Sequence, residues 1–120
     1  MSQSEIEELA GRVEAASSAD PDLAATVART LRASFPAAAL AGQIPDDIAT
    51  SADAIVALAI AALPGWHFSI HGRARSVAGA WSCTLRRSDV RDDDETIGVA
   101  EAHTLNLVIL AAVLRIAARQ

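Results

Sequence analysis

Apolar residues recur first at helical spacing, then in strict alternation, then at helical spacing again. Ile6, Leu9 and Val13 fall on one helical stripe. Ser4 and Glu7 stand three apart, the spacing of a capping box, so a first helix is predicted from about residue 5 to 16. After the linker Ser17-Ser18-Ala19, Asp20 suits an N-cap and Pro21 the first helical position. Leu23, Val27 and Leu31 continue that second helix until Pro36 stops it near Ser34. Residues 37–47 connect onward, with room for one helical turn. Thr50 or Ser51 then caps a third helix. Its Ile55, Leu58 and Ala62 form one stripe, and Val56, Ile60 and Leu63 lie beside it. Apolar on most sides, it is expected to be buried on most sides. Pro64-Gly65 ends it.

The period then falls to two. Trp66, Phe68 and Ile70 alternate with polar residues, as do Trp81, Cys83 and Leu85. These are two half-buried strands joined through residues 72–79. Residues 89–95 form a charged loop. Residues 96–102 make a third strand with Ile97 and Val99 as its apolar positions, although Gly98 weakens it. Thr104 opens a last helix with Leu105, Ile109, Ala112 and Ile116 on one face.

The order α-β-β-(β)-α predicts an α+β fold: a small antiparallel sheet of two to three strands packed by its two flanking apolar helices. Ile55, Leu58, Leu105, Ile109 and Val113 are expected to cover the face bearing the two tryptophans. An N-terminal helical segment, residues 1–43, precedes this unit of residues 44–120 as a helical hairpin with room to cover the sheet's other face. Its stripes are narrow for helices standing alone, and a homodimer that covers them is expected.

Composition sharpens the picture. Of 120 residues, 52% are hydrophobic, enough for the core of one domain. About a quarter are alanine, so burial rests on Leu, Ile, Val and four aromatic rings. Every basic residue is arginine, which reads as a coding bias of a GC-rich bacterial genome. The formal net charge of −5 argues against general nucleic-acid affinity. One cysteine excludes an internal disulfide and fits a reducing cytoplasm. No basic region followed by an apolar run opens the chain, so no signal peptide is expected. The apolar stretches 52–63 and 105–118 are too short to span a bilayer.

Several groups of residues resemble a known family when taken together. They are Ile44-Pro45, Ser51-Ala52-Asp53-Ala54, Leu63-Pro64-Gly65-Trp66, Trp81, the acidic loop, Gly98-Val99-Ala100-Glu101-Ala102 and the Ala- and Leu-rich last helix. Residues 44–118 resemble the phage ABA-sandwich group of small phage-encoded proteins. The resemblance implies a phage or prophage gene and carries no catalytic residues.

Chemistry is sparse along the chain. His67 and His71 share a strand face but stand about 13 Å apart at ~3.3 Å per residue, too far to chelate one metal. His103 sits at the start of the last helix. Cys83 alternates with Trp81 and Leu85, as a small core residue does. No metal, cofactor or enzymatic activity is expected. Asp92, Asp93, Asp94 and Glu95 form the densest charge run and lack EF-hand spacing. They read as a solvated loop or as the contact for a basic partner, together with the acids of the first helix. Arg73 and Arg75, with Arg86, Arg87 and Arg91, are the alternative contact. The element order is that of double-stranded-RNA-binding domains, but Glu101-Ala102-His103-Thr104 stands where such domains carry a basic cluster. The reading that results is a non-enzymatic phage accessory protein, in the cytoplasm of a bacterial host, that binds another protein. Its most concrete form is an inhibitor of a bacterial defence system, such as an anti-CRISPR protein. A phage structural or assembly protein is the alternative, and a nucleic-acid-binding module comes third.

Overall fold

The structure is a computed structural model, and it describes residues 2–16, 18, 20–42, 44–72, 81–86 and 97–119, with only the backbone of residue 97. The elements are α1 (Gln3–Ala15), α2 (Pro21–Ser34), α3 (Pro36–Leu40), a 3-10 turn (Ile48–Thr50), α4 (Ala52–Ala62), β1 (His67–Gly72), β2 (Trp81–Arg86), β3 (Ile97–Ala102) and α5 (Leu105–Ala117). The strands form one antiparallel sheet in the order β1-β2-β3. The fold is α+β, with helices flanking the sheet and a helical N-terminal region.

Local chemistry starts most helices where the sequence places them. Asp20 accepts from Leu23 N at 2.8 Å and Pro21 occupies the first turn of α2. Ser51, not Thr50, caps α4 by accepting from Ala54 N. Thr104 accepts from Leu107 N to open α5. The cap of α1 departs from expectation. Its capping box joins Ser2 to Glu5, not Ser4 to Glu7. Both pairs have the spacing, but Glu7 is drawn away to Arg115 of α5.

α5 is the centre of the molecule. Leu107 to Leu114 are all buried, as are Ile116 and Ala117. The helix packs on β2 and β3 beneath it, on α1 along one flank, and on α4, α2 and the 3-10 turn. One cluster of buried side chains runs from Ile6 of α1 through Leu31 of α2 to Ile116. The stripes of α1 and α2 are thus covered within the chain, with Ile6, Leu9, Val13, Leu23, Val27 and Leu31 all buried. That removes the ground on which a homodimer was expected.

The register places Phe68 opposite Leu85 and Ile70 opposite Cys83, on one face as the alternation predicts. Trp81 is half-buried, not buried. It stands opposite Gly72, where an added Cβ would lie 2.7 Å from its ring carbon Cζ3. The third strand inverts the expected polarity. Gly98, Ala100 and Ala102 pair with Leu85, Cys83 and Trp81 on the helix-covered face, and Val99 is 55% exposed. The reason is the close approach of α5. A Cβ at Gly98 would come 2.6 Å from the carbonyl oxygen of Ala112 and 2.9 Å from Ile116. Only small residues fit there.

Two packing expectations also change. α4 lies on α5 and makes no contact with the strands among the described residues, so Ile55 and Leu58 are buried against the helical layer, not the sheet. The N-terminal helices do not lie on the sheet's other face. α1 runs beside α5 and the outer edge of β3, and His67, Ser69, His71, Val99 and Glu101 remain exposed.

Candidate interaction surfaces

Asp92, Asp93, Asp94 and Glu95, and the alternative Arg73 and Arg75, lie outside the described residues, as do Arg87 and Arg91. The other sequence candidates do not converge. His71 shares a 3.2 Å hydrogen bond between its Nε2 and Ser69 Oγ on the exposed face of β1. His67 is exposed and His103 half-buried. No group of three or more His, Cys, Asp or Glu side chains could hold a metal ion among the described residues. Cys83 is fully buried, and burial pushes its thiol up to about 11. A thiol so placed is protonated near neutral pH and has no path to a substrate.

What the structure does present is an apolar surface on α4. Ile55, Leu58 and Ala59 turn inward. Val56 is 37% exposed and Ile60 is 61% exposed, and Ala57, Ala61 and Pro64 are exposed beside them. Val56, Ala57, Ile60 and Ala61 form a single helical stripe, about 12 Å long when extended to Asp53 at ~1.5 Å per residue, and Pro64 lies just past the end of the helix. The expectation that α4 is buried on most sides is therefore wrong: one full face is open. Helical spacing grouped Val56 and Ile60 with Leu63, but Leu63 is buried, and spacing did not say that α5 would leave the face of Val56 and Ile60 uncovered. Leu40, at the end of α3, is 90% exposed. Asp53, in the first turn of α4, is exposed, so the N-terminal end of the apolar stripe is acidic, and Asp47, before the 3-10 turn, is exposed as well.

A second feature is a network the sequence did not reveal. Arg115 donates to carboxylate oxygens of both Glu7 and Glu14. The other oxygen of Glu14 accepts from the backbone N–H of Glu101, on the outer edge of β3, at 3.0 Å. Burial alone would lower the Arg115 pKa, but the hydrogen bonds and charges of Glu7 and Glu14 outweigh it and raise the value. The network fastens α1 to α5 and caps the sheet edge. The lone arginine within an apolar last helix was the available signal, and nothing local named its partners.

The third is a groove of about 600 Å³ between α2 and residues 46–50. Arg32 braces it: Nε donates to the carbonyl of Ile44 at 2.8 Å, and an Nη donates to Asp46 at 2.6 Å.

No helix among the described residues is long and apolar enough to cross a membrane. No protein family, curated protein or solved structure matches the chain.

Proposed function

We propose that this protein acts by binding a protein partner through the open face of α4, and that the partner offers a basic amphipathic segment. The observation that carries the reading is the stripe of Val56, Ala57, Ile60 and Ala61, left exposed on a helix whose opposite face, Ile55, Leu58 and Ala59, is fully buried. Monomeric proteins rarely expose contiguous apolar surface without a use for it. The stripe is one helix face wide, less than the ~800 Å² per partner of a typical stable complex. Flanking groups must share the contact, and Asp47 and Asp53 supply negative charge at one end. With a net charge of −5, they favour a basic partner and speed its approach. The acidic residues 92–95 would extend the same complementarity.

The resemblance to small phage proteins supports a phage or prophage origin. Within that setting the reading is an accessory protein that inhibits a bacterial defence complex, since such complexes carry basic nucleic-acid channels. Capture from a bacterial lysate, with the bound proteins identified by mass spectrometry for wild type and Ile60→Asp, tests it. A nucleic-acid-handling defence protein that binds wild type and is lost with Ile60→Asp is expected. Virion proteins lost in the same way support the assembly reading. Recovery of only a second copy of the chain supports the homodimer. Identical recovery by both baits overturns the assignment to α4.

A further inference from the structure

The groove beside α2 has an apolar floor separate from the α4 stripe, and Asp47 borders both. Its floor is one side of α2. Pro21, Ala24 and Ala25 give an apolar surface whose short side chains leave it open. The facing wall is the segment carrying Asp46, Asp47 and Thr50. Its volume, about 600 Å³, lies within the ~300–1,000 Å³ range of small-ligand sites.

The charges along it are unevenly used. Arg32 is committed to Ile44 and Asp46, which ties the two walls together. Arg29, one turn earlier on α2, has no carboxylate within ion-pair distance among the described residues, and its contact with Thr26 Oγ1 is long at 3.4 Å. Asp47 likewise has no cation within ion-pair distance among the described residues. Its backbone carbonyl, not its carboxylate, accepts from Thr50. Among the described residues the groove thus offers a guanidinium with no carboxylate partner on α2, a carboxylate with no cation partner on the facing wall, and apolar surface on its floor.

We infer that this groove binds a small zwitterionic ligand with an apolar body. The ligand's carboxylate pairs with Arg29, its ammonium with Asp47, and its methylene body lies on Pro21, Ala24 and Ala25. An anion alone meets Asp46 and Asp47, and a cation alone meets Arg29 and Arg32. A ligand carrying both charges satisfies both walls, and a guanidinium suits a carboxylate by geometry as well as charge.

Amide NMR spectra of the full chain titrated with 6-aminohexanoate, hexanoate, hexylamine and 1-hexanol test this. The expected result is saturable shifts at Ala24, Ala25, Asp47 and Thr50, tightest for 6-aminohexanoate. Arg29→Ala and Asp47→Asn should each weaken that ligand by about fivefold or more, the loss of roughly one hydrogen-bonded charge contact. Hexanoate should be sensitive only to the first variant and hexylamine only to the second. Both side chains are on the surface, and the dispersion of each variant's spectrum verifies that it is folded. Absence of shifts in the groove at millimolar ligand overturns the inference. So does equal binding of 1-hexanol, or affinity unchanged in both variants.

Discussion

Gly98 shows how one residue sets the distance between helix and sheet. With any side chain there, α5 would be pushed off β3 at Ala112 and Ile116. Gly98→Ala should therefore destabilise the protein by about 1–3 kcal/mol, the usual cost of overpacking, as measured by urea unfolding. Arg115 is the second such residue. Removing it leaves Glu7 and Glu14 facing each other's charge on a partly buried surface. The side chains of Arg115, Glu7 and Glu14 are 26%, 33% and 22% exposed, so the cost falls below that of a fully buried pair. Arg115→Ala should lower stability by about 1–3 kcal/mol. Arg115→Ala combined with Glu7→Gln and Glu14→Gln should recover part of that loss. Glu5 adds a pH dependence. Hydrogen bonds from the Ser2 backbone and then its side chain hold the Glu5 carboxyl below its ordinary value of 4.5. A depressed carboxyl stabilises the folded state above its unfolded value and loses that effect as pH falls through the folded one. Helicity of α1, followed by amide exchange at residues 5–7, should fall as pH drops below 4.5 and stay level above it. At this scale the sequence was only partly legible. The S-x-x-E spacing occurs twice in α1, and the choice between them was made by Arg115, 108 positions away from Glu7.

The helices and strands were legible as elements, and less so in how they pack. Asp20-Pro21, Pro36, Ser51, Pro64-Gly65 and Thr104 bound them through local chemistry that needs no tertiary context. α4 and α5, however, are both apolar around much of their circumference. Periodicity alone does not say which is central. The structure places α5 in the middle, where it meets the sheet and four helical elements, and leaves α4 on the outside. β3 misled for a related reason. Its Val99 points to solvent because the face toward α5 has room only for Gly98, Ala100 and Ala102. The different standing of the two helices is measurable. Leu110→Ala, in the middle of α5, should cost about 2–5 kcal/mol in denaturant unfolding. Ile60→Ala, on the open face of α4, should change stability by no more than about 0.5 kcal/mol.

For the molecule as a whole, folding is complete without α4's outer face, and the proposal is that this face serves a partner. The acidic groups at the stripe's N-terminal end add reach, since exposed charges act over a Debye length of ~10 Å at 0.1 M salt and ~3 Å at 1 M. Stability and binding should therefore separate at α4, whereas in α5 they fall together. The candidate site was visible in the sequence only as an apolar helix. Its function depends on which side the rest of the chain leaves uncovered, and that is a property of the assembled fold. The most direct measurement is the association and dissociation kinetics of the captured partner with wild type, Ile60→Asp and the double variant Asp47→Asn, Asp53→Asn, at low and high salt. Docking through the α4 face predicts that Ile60→Asp weakens binding about tenfold or more, mainly through faster dissociation. Docking through that face also predicts that the double variant mainly slows association at low salt and matches wild type at high salt. Unchanged kinetics in Ile60→Asp, with the fold intact, would contradict it.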